Sequence, residues 1–512
     1  MKESVIQSGG MTNSLNPIYR ASIYYCCLPL LIFLATYLKW YFALIGTSAL
    51  AIAVMLHFSK EKAAIEHKLA LTKRQMFGLA LASLAWTYLG GMNGYFYQAE
   101  DWAYRNAIYA DLIRFDWPII YPENQTALVY YVGHWLPPAA LAKLVLFVTG
   151  SFESAFYTGR FFLWFWSSLG VWMMLVLFCS CLNVASGKTC ILAATLLIFF
   201  SGMDIIGVII CHRAEELFSY PVMHMEGWYK YQFTSVTACL FWVFNQSIIP
   251  WILTCCFLLT EDVSSFVLYI CACLISGPFP AVGLAMCMTL KLMEQLFVAS
   301  RENRLRSYCK TIFSTENLIS GLCILPILLL YLGANDAVKN GPELLPESVI
   351  SGGKSVLLEK IAGLLFFLLL EVGLYMLLIW EDHRKNPQFY GIAISFVAAP
   401  CIHVGYSNDF CMRATIPALM ILCVYCGRFL LEHLAGGRQW KKKLFALCLV
   451  LCLMVGAVTP LMEFLRGFCH VISEGTFKLE NMSVGTLSTA DHISNFCCSD
   501  YHCHAFFRYL AR

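Results

Sequence analysis

Charged residues are scarce in this sequence. They make up 13% of the 512 residues, whereas average soluble domains carry about 25%. Hydrophobic residues make up 59% of the chain, and much of that content lies in long uninterrupted runs. Runs of this kind are excluded from the surface of a water-soluble globule. We therefore predict an all-α polytopic membrane protein.

Two further features are missing. The net charge is only +3, and no basic stripe with interleaved aromatic residues is present, so nucleic acid is not an expected partner. No internal repeat is apparent either, and an inverted-repeat transporter is therefore not indicated. The one partner that composition itself predicts is the lipid bilayer.

About thirteen apolar runs are long enough to predict transmembrane helices. They are 23–38, 41–58, 76–92, 160–181, 189–203, 233–260, 264–276, 281–298, 318–333, 361–380, 389–404, 414–431 and 444–461. Short basic loops normally stay in the cytoplasm. The basic loops, of which 59–74 is the first, therefore predict a cytoplasmic N-terminus and an outer-face C-terminal tail.

This topology divides the chain into four segments. Residues 1–92 hold the cytoplasmic N-terminal segment and the first three spans, and residues 93–159 form an outer-face acidic loop with juxtamembrane helices. Residues 160–462 form the main bundle, with outer loops at 205–232, 334–359 and 405–413, and residues 463–512 form the tail. Within the acidic loop, 128–149 is apolar enough to span, but Pro137-Pro138 breaks it, so a surface helix and a kinked span both remain open.

The acidic loop is the densest polar stretch between apolar runs. Its adjacent carboxylates Glu100 and Asp101 suit a general base or a pair of oxygen ligands for a divalent cation. They also suit a solvated turn in which Asp101 pairs with Arg105 one helical turn on. The neighbouring Trp102 and Tyr104 are typical of a helix at the membrane interface, and they favour a functional role for this loop.

Three other places carry candidate binding residues. The second outer loop contains His224 and Glu226, which could hold a metal or orient a phosphate or sugar, and the alternative is a solvated amphipathic segment. Asp409 and Arg413 lie on a short outer loop, and Arg160 opens a span at the same face. An arginine at a membrane surface either extends to the interface or binds a lipid phosphate through its forked donors.

With these features, the layout resembles the GT-C superfamily of membrane glycosyltransferases, which includes protein O-mannosyltransferases and lipid A aminoarabinose transferases. The resemblance lies in four places. They are the first outer loop with Glu100-Asp101, the segment LVYYVGHWLPPAALAKL before Arg160, the step SGMD ending at Asp204, and the late outer Arg413. The phrases DWAYRNAIYADLI, HMEGWYKYQF and NDFCMRATIPAL are also similar to a group of uncharacterised bacterial membrane proteins.

The sequence departs from the GT-C pattern in three respects. A hairpin precedes the acidic loop, which usually follows the first span. The acidic pair is Glu-Asp, and no motif of the WWDYG type is present.

The resemblance implies a transferase at the outer face of the bacterial cytoplasmic membrane, acting in cell-envelope synthesis. It would move a sugar from a polyprenyl-phosphate donor to a hydroxyl, with Asp101 or Glu100 as base. The implied substrate-binding residues are Arg105, Asn106, Arg160, Asp204, His224, Glu226, Asp409 and Arg413. A divalent cation bound by Glu100 and Asp101 remains possible. Two alternative functions also remain open: a transporter or flippase for a lipid-linked solute, and a non-catalytic protein of envelope polysaccharide assembly.

Overall fold

The protein is built as a bundle of apolar helices. Its structure, a computed structural model, describes residues 15–60, 71–211, 215, 224–338, 343–344, 353–404, 409–435, 440–473, 486–487 and 495–512. Nine helices in this part of the chain are long and apolar enough to cross a membrane, so the chain is an all-α polytopic membrane protein. They are Pro17–Tyr37, Trp40–Ser59, Phe152–Cys181, Val236–Thr260, Pro278–Arg301, Leu305–Leu332, Leu358–His383, Ile416–Leu434 and Trp440–Ser473.

The helices follow one another with short connections. Those of the first half are α1 (Leu15–Tyr37), α2 (Trp40–Lys60), α3 (Lys73–Leu89), α4 (Trp102–Arg114), α5 (Leu136–Thr149), α6 (Phe152–Cys181), α7 (Gly187–Ile198), α8 (Asp204–Ile210), α9 (Val236–Thr260) and α10 (Phe266–Leu274). Those of the second half are α11 (Pro278–Arg301), α12 (Leu305–Ile312), α13 (Thr315–Ile319), α14 (Leu325–Leu332), α15 (Gly353–Leu368), α16 (Leu374–His383), α17 (Pro387–Ala398), α18 (Asp409–Ala414), α19 (Ile416–Ala435), α20 (Trp440–Gly456) and α21 (Val458–Ser473).

The predicted number of thirteen spans is not confirmed. Four of the predicted runs coincide with helices α3, α7, α10 and α17, which have 17, 12, 9 and 12 residues. An α-helix rises 1.5 Å per residue, so a helix of 12 residues extends about 18 Å, well short of a hydrocarbon core about 30 Å thick.

The two ends of the bundle differ in charge. One end, here the basic end, carries the segments 301–310, 381–387 and 440–443. There Lys442 Nζ lies 2.5 Å from Asp382 Oδ1, and a Cβ on Gly391 of α17 would lie 2.8 Å from Leu290 of α11. The opposite end, here the loop end, gathers the described parts of the five segments that the sequence places outside.

Backbone hydrogen bonds join these segments at the loop end. Strands β1 (Ile120–Tyr121), β2 (Thr126–Leu128) and β5 (Cys497–Cys498) form an antiparallel sheet in the order β1–β2–β5. This sheet ties the first loop to the C-terminal segment. A two-residue strand β3 (Glu343–Leu344) pairs with β4 (Ile402–His403), which ties the two later loops together.

The last helix crosses the C-terminal boundary predicted at residue 462. Helix α21 continues to Ser473, because the run after Gly456 keeps an apolar face at helical spacing while its polar residues share the other face. The last residues then return to the turn between α1 and α2, where Arg512 N donates to Tyr37 O over 3.0 Å.

Helix α5 forms an antiparallel hairpin with the first half of α6. Gly150 ends α5 with φ 64°, a left-handed conformation that allows the sharp turn. At the other end of α5, His134 Nε2 and Ser167 Oγ lie 2.9 Å apart, halfway along α6. Helix α5 has 14 residues and extends about 21 Å, less than the hydrocarbon thickness.

Candidate functional site

Helix α4 presents the predicted acidic pair at the loop end. Asp101 immediately precedes the helix, and its Oδ2 lies 2.9 Å from Arg105 Nη2, which confirms the predicted ion pair one turn apart. The Asp101 side chain is 52% exposed, whereas that of Arg105 is 11% exposed. Glu100 is exposed beside it. The helix therefore offers one accessible carboxylate and one largely buried cation.

A second pair of the same kind comes from the far end of the sequence. Arg413 Nη1 lies 2.7 Å from Asp409 Oδ1 on α18, again one helical turn apart. Burial by itself lowers the pKa of Arg413, but Asp409 and the neighbouring phenols raise it above its usual range. The guanidinium group therefore stays charged although only 13% of its side chain is exposed.

Tyr130 and Tyr131 bring the two pairs together. Their ring centroids lie 3.6 Å apart. Burial raises the pKa of both phenols, and Arg413 and Arg105 each act on both of them in the opposite direction. Both guanidinium groups therefore lie within electrostatic reach of one tyrosine pair. We call Asp101, Arg105, Tyr130, Tyr131, Asp409 and Arg413 the arginine–tyrosine cluster.

Both arginines keep hydrogen-bond capacity. Within the part of the chain that the structure describes, Nη1 of Arg105 and Nε of Arg413 are buried without an acceptor. A buried guanidinium nitrogen without a partner is costly. The arrangement can therefore accept an anionic group between α4 and α18.

The second outer loop meets helix α21 through a histidine. His224 Nδ1 lies 2.5 Å from Glu463 Oε1, and its Nε2 lies 3.8 Å from Glu226 Oε2. Burial lowers the pKa of His224, but Glu463 and Glu226 outweigh this effect and raise it to about 8. The imidazole is therefore largely protonated at neutral pH and sits between two carboxylates.

Glu226 is held on the other side by its own loop. Its oxygens accept hydrogen bonds from Ser235 N over 2.8 Å and from Gln232 Nε2 over 3.0 Å. Burial raises the pKa of Glu226 to about 7, with His224 opposing the shift. This carboxyl group therefore changes its protonation state near neutral pH, unlike an exposed glutamate.

Asp204 and Glu371 form a second buried carboxyl pair next to the first. Asp204 Oδ2 accepts from Thr459 over 2.8 Å, and Glu371 Oε1 accepts from Trp228 Nε1 over 3.0 Å. The two carboxyl groups lie close enough to act on each other electrostatically. Glu371 lies in a π-helical turn, Leu369–Gly373, a local widening that often marks functional positions.

These residues form one group, here called the carboxylate–histidine cluster: Asp204, His224, Glu226, Glu371 and Glu463. It lies close to the arginine–tyrosine cluster. Cys239 of α9 is within electrostatic reach of both Glu226 and Arg413. Gln232, which donates to Glu226, also accepts from Cys411 Sγ of α18 over 3.5 Å. The structure thus brings Asp101, Arg105, Asp204, His224, Glu226, Asp409 and Arg413 to one face of the loop end.

Two predicted residues lie apart from both clusters. Asn106 Nδ2 donates to Gln98 Oε1 over 2.9 Å, which braces the loop before α4. Arg160 lies under Gly94, with its guanidinium carbon 5.2 Å from the centroid of Phe156. The segments 212–214, 216–223 and 405–408, which hold further polar residues of the outer loops, lie outside the described residues.

Among the described residues, the acidic pair belongs to no group of three possible metal ligands. Among the described residues, one group of three possible ligands lies within 4.8 Å, namely Asp382, Glu432 and His433 at the basic end. Glu100 and Asp101 gain no third ligand from the described chain, and Asp101 is already paired with Arg105.

Several residues of the site were not predicted from the sequence. Glu371 is one of the few ionisable residues within an apolar run, which in sequence bears only on a transporter, and Glu463 and its neighbour Arg466 fall in the predicted tail. A signal was present for the last two, because Glu463, Arg466 and His470 are spaced three and four apart and share one face of a helix. Tyr130 and Tyr131 carried no such signal.

No protein-family model matches the chain, and comparison with curated proteins and with solved structures finds no significant similarity.

Proposed function

We propose that the protein is a glycosyltransferase that moves a sugar from a polyprenyl-phosphate donor to an acceptor hydroxyl at the loop end. The observation that carries this proposal is that Arg105 and Arg413 both lie within electrostatic reach of one tyrosine pair, with the accessible carboxylate of Asp101 beside Arg105. Forked guanidinium donors match a phosphate group. A carboxylate within the same cluster supplies a base.

In the proposed reaction, Asp101 accepts the proton of the acceptor hydroxyl. The hydroxyl oxygen forms a bond to the anomeric carbon while the bond from that carbon to the phosphate oxygen breaks. The electron pair leaves with the lipid phosphate, whose charge is stabilised by Arg105 Nη1 and Arg413 Nε. Attack opposite the leaving group inverts the anomeric configuration.

The surroundings suit a lipid donor. Helix α5 carries exposed apolar side chains at Leu141, Leu144, Phe147 and Val148, beside the loop end. Such a surface is expected to face acyl or polyprenyl chains. The location of basic segments at the opposite end favours a loop end outside the cytoplasm, and we propose the outer face of a bacterial cytoplasmic membrane.

The test is a transfer assay with purified protein, a polyprenyl-phosphate sugar and candidate acceptors. We expect Asp101→Asn to reduce kcat by about two to four orders of magnitude, the usual contribution of a general base. Arg413→Gln should raise KM for the donor. Glu123→Gln serves as the matched control, because Glu123 is an exposed carboxylate of the same loop.

Retention of transfer in a protein with both Asp101→Asn and Glu100→Gln would overturn this mechanism. Folding of each variant is checked by its thermal unfolding midpoint. Loss of donor binding in Arg413→Gln without loss of fold supports the role of the arginine–tyrosine cluster. Unchanged donor KM in that variant contradicts it.

A second candidate function is movement of a lipid-linked solute across the bilayer. It is favoured by helix breaks inside the bundle, at Val243 of α9 with φ −136° and ψ 37°, and between α10 and α11 at 275–277. Polar atoms beside these breaks lack partners within the described chain: His134 Nδ1, Asn245 Nδ2, Gln246 Oε1 and Ser276 Oγ. Interrupted helices with polar linings occur in transporters.

Proteoliposomes separate the two functions. A transporter moves a fluorescent lipid-linked sugar from one leaflet to the other without an acceptor. The transferase releases lipid phosphate only when an acceptor is present, and it causes no net translocation. Translocation that persists in Asp101→Asn would favour the second candidate.

A further inference from the structure

Arg160 is a buried cation without a neutralising group in the described chain. Only 3% of the residue is exposed, and both Nη1 and Nη2 are buried without a hydrogen-bond acceptor. The titratable groups that act on it are the phenols of Tyr95, Tyr109 and Tyr157, and no carboxylate is among them. Removing a guanidinium group from water is costly unless an anion pairs with it.

The aromatic contacts do not replace an anion. The guanidinium carbon lies 5.2 Å from the centroid of the Phe156 ring. A cation–π contact of this kind offsets only part of the desolvation of a buried charge, and it leaves the in-plane nitrogens without acceptors. Arg160 therefore differs from Arg105 and Arg413, which are both paired with an aspartate.

The loop above Arg160 is shaped around its guanidinium group. Gly94 has φ +77°, and a Cβ at this position would lie 2.1 Å from Arg160 Nη1. A residue with a side chain is strained at such a φ and would also displace the arginine. The preceding residue, Asn93, is buried, and its Nδ2 has no acceptor among the described residues. Three unsatisfied donor nitrogens thus come from two adjoining parts of the fold.

The exposed neighbours indicate the source of the anion. Tyr95 is 49% exposed, and on α6 Tyr157 and Phe161 are 40% and 54% exposed on either side of Arg160. Phe165, one further turn along, continues this apolar row. An apolar row on a membrane helix faces acyl chains, and tyrosines favour the level of lipid headgroups. The anion that pairs with Arg160 is therefore expected to be part of a lipid.

We propose that Arg160 and Asn93, under Gly94, form a binding site for the phosphate of an anionic membrane phospholipid. The site is separate from the arginine–tyrosine cluster and does not depend on the proposed transferase activity. The lipid phosphate accepts from Arg160 Nη1 and Nη2 and from Asn93 Nδ2. Its acyl chains lie along the row of exposed rings on α6.

The experiment uses delipidated full-length protein in detergent. Phosphatidylglycerol, phosphatidylcholine and inorganic phosphate are added separately, and lipid binding is followed by native mass spectrometry and by the thermal unfolding midpoint. We expect one saturable phosphatidylglycerol molecule that raises the midpoint, with phosphatidylcholine binding more weakly. Arg160→Gln and Gly94→Ala should each weaken this binding about tenfold or more, since the first removes the charged donors and the second displaces them.

Matched variants separate this site from other cations. Arg304→Gln changes an exposed arginine at the basic end and should leave phosphatidylglycerol binding unchanged. None of these measurements involves sugar transfer, so failure of the transferase proposal does not affect the result. Arg160→Lys keeps the charge but loses the fork, and binding intermediate between wild type and Arg160→Gln is expected.

Two outcomes would overturn the proposal. If inorganic phosphate raises the midpoint as much as phosphatidylglycerol does, the site takes a free anion and the lipid is not its ligand. If a folded Arg160→Gln protein binds phosphatidylglycerol as tightly as wild type, Arg160 is not the phosphate ligand. Folding is judged from the midpoint of each variant without added lipid.

Discussion

His224 Nδ1 lies 2.5 Å from Glu463 Oε1, and this contact joins the second outer loop to the last long helix. Glu463 is also an acceptor for Trp242 Nε1 of α9 over 2.8 Å. Three separate parts of the chain therefore meet at one carboxylate. Because a protonated histidine donates to it, the stability of this junction depends on pH.

The pKa of His224 predicts how stability changes with pH. Its pKa is raised from 6.5 to about 8 in the folded protein. The stabilisation is therefore fully present below pH 6.5 and is lost as the pH rises through 8. A shift of this size corresponds to about 2 kcal/mol. Thermal unfolding between pH 6 and pH 9 should show this loss.

His224→Gln removes the titrating group and should flatten this part of the pH profile. His502→Gln is the matched control, because His502 is an exposed histidine of the C-terminal segment. If the His224→Gln protein kept the wild-type dependence of thermal unfolding on pH, a group other than His224 would be responsible for it.

Asp111 connects helix α4 to the C-terminal segment, and its removal should loosen that connection. Its Oδ2 accepts from Tyr121 Oη and from Leu487 N, each over 2.8 Å. Asp111→Ala leaves both donors buried without an acceptor, at a cost of about 1–3 kcal/mol for each. The free energy of unfolding should fall accordingly. Limited proteolysis should then cut the C-terminal segment faster.

Asp111→Asn tests whether the acceptor oxygen or the charge matters. Burial raises the pKa of Asp111 to about 6, so a neutral side chain at this position is tolerated more easily than at an exposed aspartate. We expect Asp111→Asn to be clearly milder than Asp111→Ala. Equal losses in the two variants would contradict the acceptor role.

The sequence allowed the bundle and its polar loops to be predicted, because apolar length and charge bias are local properties. The separation of the predicted runs 264–276 and 281–298 is also present, with α11 beginning at Pro278, since proline favours the first turn of a helix and disfavours its interior. The ion pair between Asp101 and Arg105 was predictable from a spacing of four.

The site as a whole was not predictable in the same way. Arg105 and Arg413 come within electrostatic reach of the same tyrosines only because α4 and α18 lie at the same end of the bundle, and no local pattern encodes that arrangement. Glu371 lacks any polar neighbour in sequence, yet it hydrogen-bonds to Trp228 from a distant loop. Contacts of this kind depend on which helices are adjacent in space.

Gly207 is expected to be required for the position of Trp228. A Cβ at Gly207 would lie 2.1 Å from the indole ring, and that indole donates to Glu371. Gly207→Ala should therefore displace the ring and destabilise the protein by about 1–3 kcal/mol, as overpacked core substitutions do. The measurement is the free energy of unfolding, with tryptophan fluorescence as a second readout.

Gly78 provides the matched control. It lies within α3, and a Cβ there would have no neighbour within 4 Å. Gly78→Ala should stabilise the protein by about 0.5–1 kcal/mol, because alanine has less conformational freedom to lose in a helix. Similar effects of the two substitutions would mean that crowding against Trp228 does not govern the result at Gly207.

Two exposed cysteines test which side of the membrane holds the loop end. Cys211 follows α8, and Cys503 lies in the C-terminal segment. With the loop end outside, a membrane-impermeant maleimide should label both in intact cells. A cysteine introduced by Ser307→Cys, between the basic residues of α12, should react only after permeabilisation.

Cys211→Ser together with Cys503→Ser should remove most of the labelling in intact cells, because most other cysteines are buried. The reverse pattern would place the basic residues outside, contrary to the charge bias that normally governs short loops. It would also move the proposed base and both arginines to the cytoplasmic face.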